Sequence, residues 1–127
     1  MREKHLFEYA VIRVIPRVER EEFLNVGVIL YCPAQDFLHT SFELKEERLR
    51  AFAGDLEISD IEEHLLAFEQ ICEGGAKAGP IGKLPLGERF RWLTATRSTV
   101  VQTSPVHTGL CSDAGETLVR LLTKLVR

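Results

Sequence analysis

The chain has 127 residues, 45% of them hydrophobic and 28% charged, with a formal net charge of −3. That length suits one core and excludes two ordinary ones, so a single domain over residues 1–127 is expected; the composition excludes wholesale disorder. The acidic balance argues against a general nucleic-acid or membrane-surface binder.

Phe7 to Ile15 is rich in β-branched and aromatic residues and stops at Pro16, which predicts a strand. Arg13 interrupts it, on the same face as Tyr9 and Val11. The next run, 23–32, places Leu24, Val26, Val28, Leu30 and Cys32 on one face, read as core, and Phe23, Asn25, Gly27, Ile29 and Tyr31 on the other. Gly27 there marks a bulge or a close approach. A polar turn at 33–36 leads into a third strand over 37–44, giving an antiparallel meander.

After Leu44 the period changes. Residues 45–53 predict a short helix, and a longer one follows, with Ser59 and Glu62 at capping-box spacing and Ile61, Leu65, Phe68 and Cys72 as its buried stripe. Residues 74–87 are dense in Gly and Pro and are expected to form a flexible loop. The segment 89–93 is too short for periodicity to choose between helix and strand, and 98–103 is read as a strand ended by Ser104-Pro105. An irregular connection is expected over 106–112, then a helix capped by Asp113 and Glu116 with Leu118, Leu121, Leu122 and Leu125 inward. The fold class is therefore α+β: an antiparallel β-sheet of about four strands with helices packed on one face.

Function is less sharply written. No apolar run has the roughly 20 residues of a membrane span, and the start of the chain lacks an apolar secretory segment, so a cytoplasmic protein is expected. Cys32, Cys72 and Cys111 form no CxxC pair and are read as buried thiols; the histidines lack metal-ligand spacing, so neither metal nor cofactor is expected. Residues 89–112 contain no Asp or Glu but carry Arg89, Arg91, Arg97 and His107 among hydroxyl side chains. Arg97 could grip a phosphate or carboxylate with two prongs while Ser98, Ser104 and Thr108 add donors, and Arg13 joins if the strands pack that way. The plain structural account is that these hydroxyls populate an edge strand and that Arg89 and Arg91 are solvated or paired with glutamates.

The blocks FEYAVIRVIPRVEREEFLNVGVILYCP and RFRWLTATRSTVVQTSPVHTGLC resemble the bacterial family catalogued as domain of unknown function 3037. The resemblance covers nearly the whole chain, brings no catalytic residues, and implies a HipA-like kinase as a protein partner. The reading is a noncatalytic binding or accessory module, with Asn25, Gly27, Arg97, Ser98, Ser104, His107 and Thr108 as candidate binding residues for an anionic group. Two alternatives stand beside it: a small hydrolase or phosphoryl-transfer enzyme using His107 as base and Arg97 against negative charge, and a binder of single-stranded nucleic acid, the less favoured of the two. An exposed sheet edge would allow a homodimer.

Overall fold

The computed structural model describes residues 3–16, 20–52, 57–95 and 99–127. Five strands form one antiparallel sheet: β1 (His5–Val14), β2 (Leu24–Cys32), β3 (Phe37–Phe42), β4 (Val101–Thr103) and β5 (His107–Cys111). Four α-helices accompany them: α1 (Glu46–Phe52), α2 (Ile58–Glu73), α3 (Leu86–Leu93) and α4 (Ala114–Leu125). The α+β class and the antiparallel meander of the first three strands are as the sequence predicts.

β1 is the centre of the sheet. One edge pairs with β2, which pairs in turn with β3; the other edge is shared by β4, opposite Ile12–Val14, and β5, opposite His5–Tyr9. β4 and β5 thus behave as one strand interrupted at Ser104–Val106, and the register on β1 slips by one residue across that break. Pro105 has no N–H to give the ladder. Ser104 repairs the gap: its backbone N–H donates to the Val11 carbonyl at 2.8 Å, and its Oγ accepts from the Val11 N–H at 2.9 Å. The irregular connection expected over 106–112 is therefore a strand. The five residues His-Thr-Gly-Leu-Cys carry no periodic apolar signal of their own and take their conformation from the free edge of β1.

Helices cover both faces of the sheet, not one. Ala10, Ile12, Val14 and Ile29 pack with α2 and α3 through Leu65, Phe68, Phe90 and Leu93. Phe7, Val28, Leu30 and Cys32 pack with α4 through Ala114, Leu118 and Leu122. A sheet with apolar residues on both faces of its two central strands needs a cover on each side. The single core face read for β2 fails for a specific reason: the register shifts between Ile12 and Arg13, where Gly27 and Asn25 are the partners, so Val26 is an extra residue. Leu24 and Val26 consequently join the α2 side, whereas Val28, Leu30 and Cys32 join the α4 side.

Gly27 marks a close approach, as its place inside a strand suggested. A Cβ there would lie 2.8 Å from the Ser41 carbonyl oxygen and 2.9 Å from the Phe42 Cβ, both on β3. Gly27→Ala is expected to push β3 away and cost about 1–3 kcal/mol, the range for overpacking a tight contact. Urea unfolding reads this directly, and an unchanged midpoint would refute the contact.

The helices differ from expectation at their starts. α2 begins at Ile58 with Glu57 as its N-cap and no side-chain cap, so Ser59 lies inside the first turn and forms no capping box. α4 is capped as predicted, the Glu116 N–H donating to Asp113 Oδ1 at 2.9 Å. Within the Gly/Pro-rich stretch Ala76–Lys83 makes 3-10 turns broken at the non-helical Gly79, and the undecided segment at 89–93 is part of α3.

Candidate functional site

α4 lies mainly over β2 and β3 and reaches Phe7 and Cys111 at one end of β1 and β5; the stretch of the same sheet face around Arg13 and Gln102 is termed the shelf. Side chains paired directly across an antiparallel sheet share a face. By that rule Asn25, Arg13 and Gln102 form a row across β2, β1 and β4 on the α4 side. Arg13 thus meets the stretch 89–112, the condition under which it was expected to join.

The row contains two unsatisfied groups. Arg13 Nε and Asn25 Oδ1 are both buried and both without a hydrogen-bond partner among the described residues. Asn25 spends its Nδ2 on the carbonyl of Leu125 at the end of α4, at 3.1 Å. The guanidinium of Arg13 lies 4.0 Å from the centre of the Phe23 ring, a cation–π contact that holds the group in place without neutralising it. No carboxylate forms an ion pair with Arg13 among the described residues. Buried polar atoms are nearly always partnered, so this donor and acceptor, on residues paired across β1 and β2, are the groups of the row with bonding capacity left.

The other predicted residues scatter. His107 stands at the start of β5, exposed, its ring 5.3 Å from that of Tyr9, its partner on β1. Tyr9 and Arg13 are four positions apart along β1, about 14 Å, so His107 and the Arg13 row share the sheet face without touching one ligand atom. Thr108 pairs with Glu8 and faces the other way, as does Gly27. Ser104 is 2% exposed, and its hydroxyl donates to the Pro105 carbonyl while accepting from Val11; it braces the strand break and presents nothing to a ligand. Arg97 and Ser98 lie outside the described residues.

The two arginines of α3 have different uses. Arg91 donates from a single nitrogen, Nη2, to both carboxylate oxygens of Glu8, at 2.8 and 2.9 Å, the pairing with glutamate anticipated from sequence. Arg89 is buried and reaches back to the end of α2, donating from Nη1 to the carbonyls of Ile71 and Cys72 and from Nε to that of Leu84. No local pattern announces this, because its acceptors arrive from other elements.

A model of the family described as protein of unknown function, DUF3037, matches residues 9–126. The chain belongs to that family. The match takes in every residue of the DUF3037 sheet from Tyr9 onward, and with it the whole of the Asn25–Arg13–Gln102 row. No curated protein and no solved structure matches the chain.

The three cysteines of this DUF3037 chain are buried and free, as read from sequence. Burial pushes the Cys72 thiol up to about 11, against the smaller opposing effects of a hydrogen bond with Thr40 and the charge of Arg89. Burial also raises Cys111 above its ordinary range, with neighbouring Cys32 adding to the effect. Neither is a thiolate near neutral pH, so neither has the form a nucleophile needs. Among the described residues no three side chains of the metal-binding types gather at one point, and no helix is long and apolar enough to cross a membrane.

Proposed function

We propose that the protein is a noncatalytic binding module that receives an anionic group on its α4-side shelf. The observation that carries this reading is the buried Nε–H of Arg13, which among the described residues has no acceptor and no carboxylate in an ion pair. A phosphate or carboxylate oxygen satisfies that donor and the charge together, and charge-assisted contacts of this kind are the strong ones. Gln102 and Asn25 flank the cation, and because Arg97 and Ser98 come a few residues before β4 in the sequence they are carried into the same proposal. A protein carrying the anionic group serves as well as a free ligand; the family resemblance supports a HipA-like kinase in that role.

Catalysis has less support. The hydroxyl of Ser104 is spent on the backbone, and His107 has an aromatic neighbour in Tyr9 but no hydrogen-bonded acid to orient it among the described residues.

Titrating inorganic phosphate against the melting temperature tests the reading, with wild type, Arg13→Gln and Arg97→Ala compared at two salt concentrations. Loss of one charge-assisted contact worth about 1.5–3 kcal/mol predicts affinity weakened roughly 10- to 150-fold in Arg13→Gln. Equal stabilisation of wild type and Arg13→Gln would remove the shelf from consideration.

A further inference from the structure

On the opposite side of the sheet a cleft of about 810 Å³ opens between the end of β2, the turn into β3 and the first turn of α3, within the size range of small-molecule sites. Its floor includes Arg89, 9% exposed. Three backbone carbonyls occupy Nε and Nη1, which leaves Nη2 over, and no carboxylate pairs with the charge among the described residues. α3 starts at the cleft behind Pro85, an N-cap without a side-chain hydrogen bond, so no side chain caps the first N–H groups of the helix. Gly87 keeps that turn uncovered. Tyr31 stands against it, with its hydroxyl 3.0 Å from where a Cβ on Gly87 would be. Tyr31, Leu86, Gly87 and Arg89 all line this one cleft. The rim has the opposite sign, for Asp36 and Glu73 line the same cleft and both are exposed.

We propose that this cleft binds a carboxylate that also carries an ammonium or guanidinium group, the anion seated between Arg89, the Tyr31 hydroxyl and the first turn of α3, the cation between Asp36 and Glu73. The few donors suit the two oxygens of a carboxylate. Two rim carboxylates repel a doubly charged phosphate more than a monoanion and reward a ligand with a cationic tail. This site lies on the face opposite Arg13, so it stands or falls separately from the shelf.

The probe is 6-aminohexanoate, followed by amide chemical shifts of the isotopically labelled protein, with hexanoate and hexylamine as its two halves. Saturable shifts at Leu86, Gly87 and Glu88 are expected with 6-aminohexanoate. Hexanoate should bind at least about fivefold more weakly and hexylamine should leave these signals in place. Tyr31→Phe, which keeps the ring packing against Phe90, should weaken 6-aminohexanoate about fivefold, in line with one lost hydrogen bond. In Asp36→Asn/Glu73→Gln the advantage over hexanoate should vanish. No saturable shift with 6-aminohexanoate would overturn the site, as would full affinity in Tyr31→Phe. Equal binding of hexanoate and 6-aminohexanoate by the wild type would overturn the paired-charge ligand. Arg89 is left intact throughout, because the end of α2 depends on it.

Discussion

Arg89→Ala is expected to destabilise the protein by about 3–5 kcal/mol, a large share of the roughly 5–15 kcal/mol that holds a domain together. The carbonyls of Ile71 and Cys72 end α2, where no further turn of helix can supply donors. α2 has no basic residue in its last turn, so the guanidinium of α3 does that work from a distance. Truncating it strands two carbonyls beside a buried arginine-sized space, and Leu84 loses its donor as well. Gly74, at φ 79°, completes the arrangement: a Cβ there would sit 2.7 Å from Arg89 Nη1. Thermal unfolding should show a drop on the order of 10–20 °C. Arg89→Lys should recover less than half of it, since an ammonium keeps the charge but not the fork. A drop of under about 3 °C in the alanine variant would mean that the α2 terminus is satisfied some other way.

The second large effect is alkaline. With the Cys72 thiol raised to about 11 in the folded protein, and near its ordinary value of 9.0 when unfolded, the unfolded chain gives up the proton first. Between pH 9 and 11 the folded state therefore binds more protons, and stability falls as pH rises, by up to about 1.4 kcal/mol per pH unit and about 2–3 kcal/mol in all. Below pH 9 this group contributes no slope. Lysines and tyrosines titrate in the same window, so the measurement is the difference between wild type and Cys72→Ser, whose hydroxyl keeps the contact with Thr40, 3.1 Å from Cys72 Sγ, without ionising. Parallel stability curves for the two proteins across pH 9–11 would show that Cys72 does not carry the effect.

Much of the fold was legible because local chemistry and tertiary context agree in it. The apolar run of β1, the stripe of α2 and the Asp113 cap of α4 all read correctly from residue type and spacing. What could not be read depends on distant partners. The bulge at Val26 inverts the faces of β2 in the middle of a regular alternation, and nothing in the run itself records it. β5 looks like a loop until the edge of β1 is present to pair with it. Ser59 spaces well with Glu62, yet the helix starts one residue before it. The site divides the same way. Arg13 was visible as a cation inside an apolar strand, and Ser104 as a hydroxyl beside a proline, but only the strand pairings show that the first is buried beside Asn25 with its Nε unpartnered among the described residues and the second is sealed in the backbone.

The shared edge of β1 also sets an order of events. Tyr9 and His107 are 98 residues apart in the chain and His5 and Cys111 are 106 apart, yet each pair is adjacent in the sheet. Contacts of such long range must wait for a costly loop closure, and they slow folding relative to hairpins and helices. During synthesis β1, β2 and β3 can pair early, while the outer edge of β1 stays bare until β5 has been made. For that interval the nascent protein exposes the hydrogen-bonding edge of its central strand, the kind of surface through which incomplete chains associate.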